Sequence, residues 1–465
     1  MKRLLFIPLI SLYTLESHSQ ESLTPEVLSS LESSFEMSGS SKAIGNAIQS
    51  NSINKIALNS NNPSSTDTWF SVEALNSGIS DQASSGRCWL FTGLNVLRNE
   101  AMKKYGNSNF MFSHVYLFFY DQLEKSNLFL QSIIDTRDLS LDSQKVQWLL
   151  SNPISDGGTY TGVADLCTKY GLVPKDVMPE TYVSNNTSEF NGHLKRKLRE
   201  IAIVLREKSA NGASVAELER YKTEQLKVVY KMLCLAYGEP VKEFTWAPKD
   251  SKGKYLYAPK RYTPKEFFEE IIRPGEDLNR DYVMLMNDPS RPYNKVYEID
   301  MDRHCYDGHN WLYLNLDINE LSSIAIASLQ DSVPMYFSCD VGKQLNRSTG
   351  LLDLNNYDYE SLFGTTFGMS KKQRIETHDS GSSHAMTLVA VDLDESGQPL
   401  KWKVENSWGP SYGYSGYLIM THEWFCEYMF RLVVNKKYCT PDILSLLSQA
   451  PERLPAWDPM FLMDE

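Results

Sequence analysis

Residues Asp81–Arg98 read DQASSGRCWLFTGLNVLR. Gly86 lets the backbone turn just ahead of Cys88, and Leu90, Leu94, Leu97, Ala101 and Tyr105 then recur at helical spacing, with Arg98, Lys103 and Lys104 on other faces. The pattern predicts a helix that begins at or just after Cys88. A thiol at a helix N-terminus has its pKa drawn down by the unpaired amides and the dipole, and the thiolate is the nucleophilic form. Gln82, six residues earlier, is placed to return a side-chain amide to the same spot and donate to a developing oxyanion together with the Cys88 N–H. Trp89 is expected to pack beneath the helix start. A lone cysteine is ordinarily a small buried hydrophobe, and here the neighbours argue for chemistry instead.

A nucleophile of this kind needs a base and a group that orients the base. His384 opens the apolar run HAMTLVAVD, so its ring projects at the mouth of a sheet. Lys401 to Asn406 alternates, with Trp402, Val404 and Asn406 on one side, and Ser407-Trp408-Gly409 then turns the chain. Two consecutive strands thus deliver a histidine and an asparagine at their ends, the arrangement in which an amide fixes the imidazole tautomer. The order Cys88, His384, Asn406 is read as a catalytic set. A further helix is expected after the turn Asp156–Gly158, through Val163, Leu166 and Cys167 to Gly171.

QASSGRCW, HAMTLVAV and VENSWGPSYGYSGYLIM resemble the three active-site blocks of the papain superfamily, whose Cys–His–Asn logic is itself a standard example. SSGRCWLFTGLNVLR, FMFSHVYLFFYDQLEKSNLFL, FSCDVGKQLN and LPAWDPM are similar to one branch of it, the bleomycin hydrolase and aminopeptidase C family, from about Val27 onward. The resemblance implies an α+β papain-like cysteine peptidase fold, a helical lobe plus an antiparallel sheet or barrel lobe, with a large helical insertion and a C-terminal arm. It implies Gln82 as oxyanion donor, Cys88 as nucleophile, His384 as base and Asn406 as orienter, with Gly157 and Gly158 binding substrate backbone and Trp408 shielding the His–Asn hydrogen bond. It also implies a homohexamer, and a C-terminal arm whose end, here Glu465, captures the substrate's α-amino group; Asp464 and Glu465 suit that electrostatically. The activity implied is a thiol-dependent aminopeptidase acting on peptides with free amino ends. An endopeptidase and a vestigial scaffold are the alternatives.

Two departures from ordinary papain enzymes fit that branch. Ser85 stands where they carry a disulfide cysteine, and His384 follows Cys88 by about 300 residues instead of roughly 130–150. The expected organisation is a signal-like extension over 1–20, an arm or linker over 21–70, the helical lobe over 71–188, a helical insertion over 189–300, the sheet lobe over 301–450 and the arm over 451–465.

A chain of 465 residues with 42% hydrophobic residues has ample material for a core. Its net charge of −12 argues against nucleic-acid binding, which Lys and Arg drive by releasing counterions. The seven cysteines are odd in number and never arranged as C-x-x-C, which suits a reducing, cytoplasmic setting. Lys2 and Arg3 ahead of the run Leu4 to Leu15 leave secretion open, while the run is too short to span a bilayer, so no membrane is expected. His304, Cys305 and His309 match no standard zinc spacing. No metal or other cofactor is expected.

Overall fold

The computed structural model describes residues 22–62, 67–74, 78–106, 110–250, 252–272 and 275–460. The signal-like extension and the terminal 461–465, with Asp464 and Glu465, lie outside the described residues. The chain divides into two compact units, 1–58 with 358–365, and 59–357 with 366–465.

In the smaller unit the segment read as a linker is helical, with helices Pro25–Ser33, Gly39–Ser50 and Ile53–Ala57 joined by Tyr359–Phe363. The signal lay in the caps. Thr24 Oγ1 accepts from the Val27 N–H, and Pro25 opens the first helix with its φ already set. The first two helices bury no residue, and their apolar residues are few.

The larger unit is built on a 12-stranded sheet. Its centre runs Tyr282–Met286, Met429–Asn435, Met335–Cys339, His384–Leu393, Pro399–Glu405 and Tyr417–Thr421, each antiparallel to the next. The sheet is mixed and not purely antiparallel: Tyr282–Met286 pairs parallel with Leu312–Asn315, Tyr417–Thr421 with Leu351–Leu352, and Lys295–Ile299 with Glu452–Leu454. The region 189–300 departs from the helical expectation. Helices Thr187–Ala210, Val215–Tyr237 and Pro264–Ile271 follow it, but a small hairpin (Phe244–Trp246, Lys260–Tyr262) and two strands of the main sheet also lie there. Those strands find partners at the far end of the chain, as Tyr282 does in Asn435 and Tyr297 in Glu452, beyond what local pattern reports.

Side chains alternate across the sheet and supply two cores. Met284, Met286, Tyr336, Ala385 and Val433 face the helical lobe, in which Cys88–Tyr105, His114–Asp135 and Tyr160–Tyr170 pack together. Leu285, Phe337, Leu388, Trp402, Val404 and Leu432 face helices Ile318–Gln330 and His422–Tyr428. Phe118, Phe119 and Phe129 of the aromatic-rich second helix are buried, so that stretch serves the core.

One ion pair joins the lobes where it matters for the site. Arg98, on a face of this helix other than the leucine stripe, is buried, and its Nη2 donates to both Glu405 oxygens at 2.8 and 3.0 Å. Asn95, one turn earlier, donates to Glu405 Oε1 at 2.9 Å. The helix that begins at Cys88 is thereby bolted to the residue immediately before Asn406.

Candidate active site

The nucleophile helix runs Cys88–Tyr105, and no side chain caps it at Arg87. Arg87 is itself fully buried: its Nη1 donates to Glu180 Oε2 at 2.7 Å and its guanidinium lies over the rings of Phe91 and Phe118. Asp156 accepts from the Gly86 N–H at 3.1 Å, from Thr187 Oγ1 and from Asn191 Nδ2, and so pins the turn before the thiol to the start of the long helix Thr187–Ala210.

His384 is the first residue of its strand and sits directly opposite Cys339 of the neighbouring strand. Cys88 lies on that same spot from the helical side. Burial pushes the Cys339 thiol far up, and the charges of Asp340 and Cys88 push it further. His384 Nε2 is 2.8 Å from Asn406 Oδ1, and the Ser407 N–H donates to that same oxygen at 2.8 Å. A backbone N–H can only donate, so the atom facing His384 is the amide oxygen, and Nε2 must carry the proton. Nδ1 is left with a lone pair, as a base requires. The Trp408 ring lies 4.8 Å from that of His384 and covers this hydrogen bond on one side.

Gln82 is built into the same turn. Its N–H donates to the Ser407 carbonyl at 2.8 Å, its Oε1 accepts from Ser407 Oγ at 2.6 Å, and its Nε2 donates to the Ser85 carbonyl at 2.5 Å. Ser407 thus fixes the amide's orientation, and the second Nε2 hydrogen remains for an oxyanion. Gly157 and Gly158 flank the helix start through Trp89, whose Nε1 donates to the Asp156 carbonyl at 2.6 Å. The sequence reading did not single out Ser407, Arg98, Asn95 or Asp156. Asn95 and Arg98 carried a usable signal, two polar residues three apart in the half of the helix richest in apolar residues.

Burial pushes the His384 imidazolium down to about 4, with Asn406 working in the opposite direction. The ordinary value is 6.5, so the unfolded chain binds more protons between about 4 and 6.5. Stability from this group is therefore full above 6.5 and is lost as the pH falls through about 4. In a Cys88→Ala background, lowering the pH from 7 to 4.5 is expected to cost up to about 3 kcal/mol more with His384 present than with His384→Gln. Urea unfolding at the two pH values measures this, and equal losses would refute it.

The Peptidase C1-like family model matches residues 22–461. The chain belongs to the Peptidase C1-like family. It is 40% identical over 390 residues to the bleomycin hydrolase of Rattus norvegicus, covering 82% of this chain and 85% of that one. To aminopeptidase E of Lactobacillus helveticus it is 38% identical over 436 residues, covering 94% and 98%. The crystal structure of PepW from Lactobacillus rhamnosis HN001 superposes with a TM-score of 0.90 at 36% identity, covering 95% of this chain and 99% of that one. The fold is thus papain-like α+β, as expected.

Two other clusters in this C1-like chain carry cysteine chemistry on paper. Cys426 Sγ lies 3.6 Å from His422 Nε2, but the Trp402 indole N–H donates to His422 Nδ1 at 3.2 Å. The proton of the neutral ring is therefore on Nε2, which donates to the sulfur instead of taking its proton. Burial pushes the Cys426 thiol up to about 11. Glu124, Cys305 and Asp307 group closely enough for a cation, and the Lys169 ammonium takes that position, 2.7 Å from Glu124 and 2.7 Å from Asp307. His304 and His309 are held apart by different carboxylates, Asp121 and Asp165.

Proposed function

We propose that Cys88, His384, Asn406 and Gln82 carry the reaction of a thiol-dependent aminopeptidase of the papain type, and that its substrates are peptides with a free α-amino group. The observation that carries this is the double use of Asn406 Oδ1 by the Ser407 N–H and His384 Nε2, which leaves Nδ1 as the base. Nδ1 takes the thiol proton, and the thiolate attacks the first peptide carbonyl. The oxyanion rests on Gln82 Nε2 and the Cys88 N–H. The imidazolium returns its proton to the departing amine, and water activated by the same Nδ1 releases the acyl-enzyme. The residues that do this need no metal or organic cofactor. Bleomycin, the substrate in the name of several relatives, belongs to the same amide class.

The arm leading to 461–465 supports the aminopeptidase reading over an endopeptidase. Met460 is fully buried, its carbonyl accepts from Arg431 Nη2 at 2.7 Å, and Asp458 is paired with Arg291. Arg431 pairs with Ser338, which in turn pairs with Ala385 beside His384. The arm is therefore fastened two strands from the base, and in this reading Glu465 meets the substrate's ammonium. Family likeness alone adds a homohexamer, which sedimentation would read directly. Among the described residues no helix is long and apolar enough to cross a membrane, and the cysteine usage favours a cytoplasmic over a secreted protein.

A fluorogenic aminoacyl amide offered with free and with acetylated α-amino group tests the reading, with Cys88→Ala as blank. The free form is expected to be cleaved roughly 100-fold faster, the scale of leaving a desolvated charge without its partner. Equal cleavage would make the protein an endopeptidase, and no Cys88-dependent cleavage would make it a scaffold.

A further inference from the structure

Three successive carbonyls ahead of Gly158 are all drawn inwards. Ser155 O accepts from Lys125 Nζ at 3.2 Å and from Gln122 Nε2 at 3.1 Å. Asp156 O accepts from Trp89 Nε1 at 2.6 Å, and Gly157 O accepts from Lys125 Nζ at 2.6 Å. Gly158 comes next. It is half-exposed, and neither its N–H nor its carbonyl has a partner within the chain among the described residues. It is the first of these four residues whose carbonyl no side chain holds.

Lys125 has a support of its own. Its Nζ lies 3.0 Å from Asp121 Oδ2 and its ammonium stands 5.3 Å from the centre of the Trp89 ring. Asp121 is fully buried and its other oxygen takes the Nδ1–H of His304, whose ring packs 4.6 Å from Trp89. Burial alone would raise the Asp121 carboxyl, but Lys125 and His304 hold it below its ordinary value, so it stays charged. The His304 ring in turn abuts Gly158 and the first turn of the helix Tyr160–Tyr170. A Cβ on Gly158 would lie 2.3 Å from His304 Cε1, and one on Gly162 2.4 Å from the same atom. The assembly therefore spans from the residue after the nucleophile to the glycine pair.

We propose that Lys125 is a positioning residue for the reaction, clamping the backbone of 155–157 against the nucleophile helix so that Gly158 presents its N–H and carbonyl to the substrate backbone. Gly157 then acts through Lys125, and Gly158 alone makes the contact. This rests on the reading of Cys88 as nucleophile. The Lys125 ammonium contributes direction rather than charge to the cleft, because its hydrogens are spent on Asp121 and the two carbonyls. Losing it frees those carbonyls, and the strand drifts without the thiol moving.

The test compares Lys125→Met and Lys125→Arg with the wild type in KM and kcat for a free aminoacyl amide, and in the rate at which iodoacetamide alkylates Cys88. Lys125→Met is expected to raise KM about tenfold with alkylation unchanged within about twofold, the loss of one charge-assisted hydrogen bond felt by substrate but not by the thiol. Lys125→Arg, which keeps the charge and the donors, should recover most of that loss. Unchanged KM would overturn the proposal, and so would a parallel fall in alkylation and kcat, which would mark a purely structural lysine. If Lys125→Met does not fold, Lys125→Gln carries the same comparison. A wild type lacking Cys88-dependent hydrolysis would instead sink the peptidase reading itself, so the two failures are distinguishable.

Discussion

Cys88→Ala is expected to reduce kcat on the aminoacyl amide by on the order of 10⁵-fold, the scale seen when a covalent nucleophile is removed from a preassembled site. The residual rate would come from Gln82, the backbone donor and binding alone. The wild type should take up one equivalent of iodoacetamide rapidly, at Cys88. The other six thiols are poor competitors for a physical reason. Burial pushes Cys167, Cys234, Cys305 and Cys339 up, and holds Cys426 and Cys439 at about 11, so at neutral pH they are thiols. Mass spectrometry of the labelled chain decides the matter. Rapid label on any other cysteine, or hydrolysis surviving in Cys88→Ala, would unseat the assignment.

Arg98→Met and Glu405→Gln should each cost about 3–5 kcal/mol, because each leaves the opposite charge buried without its partner. The two side chains are 2% and 1% exposed, so water cannot compensate the survivor. Arg98→Met/Glu405→Leu should be far less damaging than the sum of the singles, since an apolar pair removes the burial penalty along with the attraction. Urea unfolding at pH 7 supplies the values; losses under about 1 kcal/mol in both singles would show that the pair is effectively solvated. Activity should fall with stability here, because Glu405 immediately precedes Asn406.

The proposed set of Cys88, His384 and Asn406 could be picked out because each member is announced by local pattern. Helical spacing begins at Cys88, strand alternation stops at Asn406, and an apolar run opens on His384. The burial of Arg98 was not foreseen because spacing reports which residues share a face, not which face is covered, and its partner lies 307 residues along the chain. The strands Tyr282–Met286 and Lys295–Ile299 were taken into a helical insertion for the same reason, their pairing being supplied from the far end of the chain. The helices between Pro25 and Ala57 were missed in the opposite sense. They are short, carry few apolar residues and bury only Ala57, so nothing in them suggested a long amphipathic element. The supports of the site, Ser407 and the Asp121–Lys125–His304 group, are ordinary polar residues in sequence and acquire meaning only from their neighbours.

Ser407 touches the two halves of the reaction with three different atoms. Its N–H fixes the Asn406 oxygen that meets His384, the proposed base, while its carbonyl and hydroxyl hold Gln82, the donor proposed for the oxyanion. The groups that handle the proton and the negative charge are thus carried on one mount. A displacement of that turn is therefore passed to both groups at once, and a substitution at Ser407 would disturb both together.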